Sequence, residues 1–315
     1  MIDNTFTFQE IIGLGGSSRV FSAVDYNNST YAIKAIRSDK GYESEYQKMI
    51  VLREYLVMDH IGEHPNIIKH FSCNPEGRLT HNGMTQDISY SVMEFCENGS
   101  LSSIIKRTGG IDESVSRFMF TQLCSAVKFL HDKQFAHLDI KLDNLLLDKY
   151  FNIKLADFGS GVSLLKTFGQ TDHKVGTPIY MAPEIKHLQS NQSYDGCKAD
   201  IYSLGVTLCI MLLGGFHDFN KFNEGSTVGS NEITDSDSMD IDEDPENQFW
   251  KYLSKSSKEL LVQMLHEDPQ QRPDIDQILS CEWMNSEDID GLQNVVYCEM
   301  KARMDSLKSN EDEEF

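Results

Sequence analysis

His137-Leu138-Asp139-Ile140-Lys141-Leu142-Asp143-Asn144 runs into Leu145-Leu146-Leu147, and thirteen residues after Asn144 stands Asp157, opening Asp157-Phe158-Gly159. Polar residues at alternating positions, a short apolar strand, and then an aspartate with glycine two places on form an uncommon combination. Carboxylate and amide oxygens are hard ligands that suit Mg²⁺. A second carboxylate a few residues away can orient a hydroxyl nucleophile and take its proton. The stretch therefore points to a metal-phosphate site, with Asp139, Asn144 and Asp157 as the candidate oxygen donors.

On the N-terminal side, β-rich runs at Phe6–Ile12, Val20–Asp25 and Tyr31–Arg37 are broken by Gly, Asn and Ser. The first break is Ile12-Gly13-Leu14-Gly15-Gly16-Ser17-Ser18-Arg19-Val20. Glycines there let the backbone approach a phosphate chain and present N–H donors to it. Alone, such a hairpin is more often a plain turn, and no Gly-Lys-Ser/Thr follows that would make it a P-loop. Tyr31-Ala32-Ile33-Lys34 puts a lysine inside an apolar strand. An unpaired buried ammonium is costly, so Lys34 needs an anionic partner or an edge position from which it snorkels to water.

Glu43–Ile61 has helical spacing of Tyr46, Met49, Ile50, Leu52, Leu56 and Val57, and His64-Pro65-Asn66 interrupts it. Ile67–Phe71 and Ile88–Phe95 read as further strands. From Leu101 onward the pattern turns helical, with Ser114–His131, a nearly all-apolar Lys198–Leu213, Ser256–Leu265 and Ile275–Ile278. The expectation is α+β: a small β-rich lobe with one helix, then a larger, mainly helical lobe.

The formal net charge of −21 argues against nucleic acid as a partner, since phosphate backbones require Lys/Arg clusters. It is compatible with basic protein partners or with simple solubility. Much of it is local: Asn223–Asn247 carries nine carboxylates and no Lys or Arg, and the tail after Lys308 ends Glu-Asp-Glu-Glu-Phe. Both read as solvated, disordered segments, with a short amphipathic helix between them at Leu292–Leu307. Seven cysteines without a CxxC pair suit a reducing compartment, with no disulfide framework and no zinc site. No signal peptide and no long apolar run is evident, so the expectation is a monomer of the cytoplasm or nucleus, away from membranes.

Taken in order, these motifs resemble the eukaryotic protein kinase family, of the serine/threonine type and loosely like its calcium/calmodulin-dependent group. The likeness covers about residues 6–284. It rests on the glycine-rich hairpin, Lys34, His-x-Asp-x-Lys-x-x-Asn, Asp157-Phe158-Gly159, Met181-Ala182-Pro183-Glu184, Lys198 to Gly205, and Asp268-Pro269-Gln270-Gln271-Arg272-Pro273. It implies a two-lobed kinase fold, with an N-lobe at about 6–95, a C-lobe at about 96–284 holding the acidic insert 223–247, and an extension over 285–315. It implies ATP and Mg²⁺ as cofactors and protein substrates with Ser/Thr acceptors.

By that resemblance Ile12, Gly13, Gly15, Val20, Ala32 and Leu146 line the nucleotide. Lys34 contacts its phosphates and pairs with Glu54, in preference to Glu43 or Glu45, which lie too early. Met93 resembles the gatekeeper, the backbones of Glu94 and Cys96 meet adenine, and Ser100 meets the ribose. Asp139 resembles the catalytic base, Lys141 the stabiliser of the transferring phosphoryl group, and Asn144 and Asp157 the Mg²⁺ ligands. Thr177 is expected to bond Asp139 and Lys141, Glu184 to pair with Arg272, and Asp200 to hold the backbone around His137.

The sequence departs from the family pattern at Ser18, in place of a third glycine. It departs at Leu138, in place of the arginine that gathers an activation-segment phosphate, and at His70, in place of an apolar packing residue. The rival reading is a pseudokinase, the same fold used as a binding or scaffold module; the presence of Lys34, Glu54, Asp139, Asn144 and Asp157 favours an enzyme.

Overall fold

Residues 1–14, 18–37, 42–215, 251, 253–286 and 291–313 are described by a computed structural model of the chain. Gly15 and the acidic segment Asn223–Asn247, with its Ser236 and Ser238, lie outside them.

Strands β1 (Thr7–Leu14), β2 (Ser18–Val24) and β3 (Thr30–Arg37) are followed by helix α1 (Tyr42–Ile61) and strands β4 (His70–His81) and β5 (Met84–Glu94). They form one antiparallel sheet in the order β1-β2-β3-β5-β4. Residues of alternate register, among them Phe21, Ala23, Ile33, Ala35, Ile88 and Val92, bury one face as a small apolar cluster. Ile2 joins that cluster, and Asp3 fixes it by accepting from the Tyr90 hydroxyl at 2.8 Å and the Arg78 N–H at 2.7 Å.

The two strand readings after α1 need correction. Ile67 and Ile68 are buried outside the sheet, Ile67 bridging Leu155, and the strand begins only at His70. It pairs with β5 through Asn82-Gly83, where φ is 50° and 76°. Positive φ at both turn residues matches the right-handed twist of a hairpin, which is why Asn-Gly is a strong hairpin signal. That dipeptide is the signal in the sequence that places the turn, one not used in the strand readings above.

The second lobe opens with α2 (Leu101–Thr108), capped by Ser100, and α3 (Glu113–Asp132), capped by Asp112. Short strands β6 (Phe135–Ala136), β7 (Leu145–Leu147), β8 (Ile153–Leu155), β9 (Val162–Ser163) and β10 (Gln170–Thr171) carry the loops of interest. Then come α4 (Pro183–Lys186), β11 (Tyr194–Asp195), α5 (Gly196–Leu213), α6 (Lys255–Met264), α7 (Ile275–Ser280) and α8 (Gln293–Glu313). Helix α5 is long and apolar enough to cross a membrane, yet its flanks are buried within the lobe. It packs against α3, α6 and β6, and so forms the floor under the loop that follows β6.

The tail reading is also revised, because α8 continues through Lys308 to Glu313. Val296, Met300 and Leu307 bury one side of it. Arg303 binds it to the end of α2, donating to Thr108 Oγ1 at 2.9 Å and Gly110 O at 2.8 Å. Arg303 also reaches the Thr108 and Gly109 carbonyl oxygens at 3.5 and 3.3 Å, groups that a helix C-terminus otherwise leaves open.

Candidate active site

The loop after β6 is held by a buried carboxylate. Asp200, on α5 and fully enclosed, accepts from the backbone N–H of His137 and of Leu138, each at 2.8 Å, and meets His131 Nε2 at 3.0 Å. Leu138 is forced to φ 62°, a strained conformation for a branched side chain, and these two bonds stabilise it. His137 accepts from the Asp139 N–H at Nδ1 (3.2 Å), so its Nε2–H donates to Ala156 O (3.2 Å). Its ring packs edge-on against Phe158 with centroids 4.9 Å apart. The two motifs that open the sequence analysis are therefore physically joined.

Asp139 projects from this loop into a set of donors. The Thr177 N–H (2.9 Å) and hydroxyl (2.7 Å) reach its Oδ1, while Lys141 Nζ reaches its Oδ2 at 2.7 Å. Lys141 also donates to Thr177 Oγ1 at 2.7 Å. Asn144 spends its amide Nδ2 on Asp139, at 2.8 Å to the backbone oxygen and 3.3 Å to the carboxylate. With its nitrogen so used, the Asn144 amide oxygen is the atom left for a metal.

Across the cleft, β3 presents Lys34 and α1 presents Glu54, which meet at 2.9 Å, with Glu54 buried. The Asp157 carboxylate reaches the same ammonium at 2.9 Å, a three-way junction the sequence reading did not foresee. Burial works against the Lys34 charge, but Glu54 and Asp157 outweigh it and hold its pKa above the ordinary lysine range. Burial likewise opposes ionisation of Asp157; Lys34 prevails, helped by His137 and Lys141, and keeps this carboxyl below the ordinary aspartate range. Asp157 sits at φ 63° and its side chain is 46% exposed, so an ionised oxygen faces open space. An ionised Asp157 and the Asn144 oxygen are the two hard donors that Mg²⁺ bound mainly through phosphates requires, and the residues fit that ion.

The described positions expected to line a nucleotide fall mostly on the strands and in the segment that follows them. Val20 lies opposite Lys34 and Gly13 opposite Val20 in the β1–β2–β3 ladder, while Ile12 sits at an irregularity of β1 and is 44% exposed. Ala32 is buried opposite Met93, and Leu146 bridges Ser100. Glu94 spends its N–H on Lys69 O at 2.9 Å and its carboxylate on Lys154 at 2.8 Å. The Cys96 thiol is pushed up to about 12, chiefly by burial, and stays protonated. Ser100 uses its hydroxyl oxygen to cap α2. Gly15 cannot be placed, as it falls outside the described residues.

Two supports complete the arrangement. Arg272 pairs bidentately with Glu184 at 2.7 and 2.8 Å, as the motifs implied. His70, beside Lys34, has both ring nitrogens buried without a hydrogen-bond partner. Burial, then the Lys34 charge, pushes its pKa down to about 4, so it packs as a neutral ring.

The protein kinase domain family matches residues 6–284, so the chain belongs to the protein kinase family. Among curated relatives it is 33% identical to CBL-interacting serine/threonine-protein kinase 7 of Arabidopsis thaliana, over 86% of this chain and 58% of that protein. It is 28% identical to serine/threonine-protein kinase 33 of Bos taurus, over 99% of this chain and 62% of that protein. It is 30% identical to the meiosis-specific serine/threonine-protein kinase mek1 of Schizosaccharomyces pombe, over 87% of this chain and 58% of that protein. The chain thus spans about 60% of the length of these relatives.

Proposed function

We propose that this chain transfers the γ-phosphoryl group of ATP to serine or threonine hydroxyls of protein substrates. The observation that carries the reading is the placement of Asp139. Its carboxylate is fixed by Thr177 and Lys141 beside a cleft that also holds the Lys34–Glu54–Asp157 junction.

Lys34 holds the α/β-phosphates, oriented by Glu54. The acceptor hydroxyl approaches Asp139, which takes its proton as the hydroxyl oxygen bonds to the γ-phosphorus and the bond to the ADP oxygen breaks. Lys141 neutralises charge on the transferring group. Mg²⁺ held by Asn144 and Asp157 would supply charge neutralisation along the β- and γ-phosphates. The protein's share is positioning and preorganised charge, which supply most of the acceleration in such a site. The serine/threonine preference draws its support from Lys141 on the catalytic loop and from the names of the relatives. Action in the reducing cytoplasm or nucleus accords with seven free thiols.

The test is incubation of the purified chain with γ-labelled ATP, Mg²⁺ and a degenerate serine, threonine and tyrosine peptide set, beside Asp139→Asn. Label on serine or threonine, lost in the variant, supports the reading. Label on tyrosine, or equal labelling by the variant, contradicts it.

A further inference from the structure

The segment Lys174–His187 is fastened to the catalytic base through Thr177, whose N–H and hydroxyl both bond Asp139. The Lys, Arg, Asp, Glu and His residues within it are Lys174, Glu184, Lys186 and His187. Glu184 is consumed by its bidentate pair with Arg272. The formal charge this face offers to solvent is therefore positive, on a protein whose net charge is −21. Of the nearby carboxylates only the exposed Asp172 offsets it, which leaves one net positive charge once Lys174 and Lys186 are counted against it. Asp143 pairs with Lys106 at 3.2 Å, and Asp172 lies 3.9 Å from His173.

Lys174 and Lys186 are both exposed, and among the described residues neither meets a carboxylate. The Lys174 ammonium donates to the Lys186 carbonyl oxygen at 2.9 Å, which brings Lys174 to the C-terminal end of α4 and leaves two of its three donor positions open. Lys174 lies three residues before Thr177, about 10 Å of extended chain. A hydroxyl seated on Asp139 therefore puts its neighbouring side chains within reach of these cations.

We propose that Lys174 and Lys186 form an anion-reading subsite that selects substrates bearing a carboxylate or phosphate side chain within three residues of the acceptor hydroxyl. The inference rests on the kinase reading above and names its substrate class. Whole-protein charge favours basic substrates, but screening confines that field to roughly 8–10 Å at physiological salt. Close to Asp139 the local sign decides. A substrate phosphate, with its greater charge and three acceptor oxygens, gains more from two ammonium groups than a carboxylate does.

The experiment is a positional peptide scan with the full chain and Mg-ATP. The four positions on either side of a central serine are replaced by each amino acid, including phosphoserine. The expected result is enrichment of Asp, Glu and phosphoserine at a position within three residues of the acceptor. In Lys174→Ala/Lys186→Ala the ratio of kcat/KM for the acidic peptide to that for its neutral counterpart falls roughly tenfold. In Lys174→Glu/Lys186→Glu the selection turns toward basic residues, and thermal melts show that both variants fold. Stronger selection of phosphoserine than of glutamate identifies a previously phosphorylated substrate; equal selection identifies a plainly acidic one. Transfer without acidic selection, or acidic selection retained by both double variants, overturns the subsite alone. No transfer to any peptide overturns the subsite and the kinase reading together.

Discussion

Lys34 and Arg272 each bridge elements far apart in the sequence, but their surroundings differ. Arg272 is fully enclosed, and its donors are all used: Nε on His266 O, Nη1 on Glu184 and Lys198 O, Nη2 on Glu184 and Glu267 O. Lys34 holds two carboxylates at once, and one of them, Asp157, is almost half exposed. A satisfied buried pair has nothing left to offer a ligand. Removing one partner strands the other charge, so such a pair serves stability. A shared ammonium beside an open carboxylate can exchange protein partners for phosphates and metal at little cost in folding. The same chemistry thus yields a brace in one lobe and a binding site between two.

Substitutions can break this contrast. The largest effect is expected at the base. Asp139→Asn should lower kcat by about 10³-fold or more, with nucleotide affinity retained in titration calorimetry. Loss of Lys34, tested as Lys34→Met, should cost about 10²-fold in kcat/KM while the urea midpoint moves little. Arg272→Leu should do the reverse at first contact, destabilising the chain by about 3–5 kcal/mol in urea melts, since Glu184 is left without its partner.

A smaller effect sharpens the picture at the junction. The folded pKa of His70 lies near 4, below the ordinary histidine value, so the unfolded chain binds the extra proton first as pH falls. Stability contributed by the neutral ring is present at neutral pH and is lost between about pH 6.5 and pH 4, amounting to roughly 3 kcal/mol. His70→Leu should remove that part of the acid sensitivity, measured as the difference between urea melts at pH 7 and pH 4.5. The smallest effect concerns Leu138, which is buried and carries no charge to hold a phosphate. Phosphatase treatment should change the peptide-kinase rate by no more than about twofold.

Much of the site was legible because each chemical role demands a particular residue type at a fixed spacing. Asp139, Asn144 and Asp157 stood out by their order as a metal-phosphate site, while the resemblance to the kinase family assigned their separate roles and preferred Glu54 to Glu43 and Glu45. What escaped depended on tertiary approach. The direct Lys34–Asp157 contact joins residues 123 apart in sequence, and no local pattern encodes it. The His131–Asp200 bond is hidden for the same reason. The β4 boundary was missed because Ile67 and Ile68 look like strand residues while packing against the second lobe, and the Asn82-Gly83 turn that would have placed it was passed over. Helix α8 runs past its amphipathic stretch to Glu313, and its Arg303 contact with the end of α2, between positions 193 apart, has no local signal in the sequence.

The account stands on an ionised Asp157 and the Asn144 oxygen receiving metal together with a triphosphate. Titration of a non-hydrolysable ATP analogue into the wild-type chain, with and without Mg²⁺, tests this directly, run beside Asp157→Asn. Binding that tightens with Mg²⁺ in the wild type and loses that dependence in the variant is the predicted result; binding indifferent to Mg²⁺ in both, or no binding at all, would contradict it.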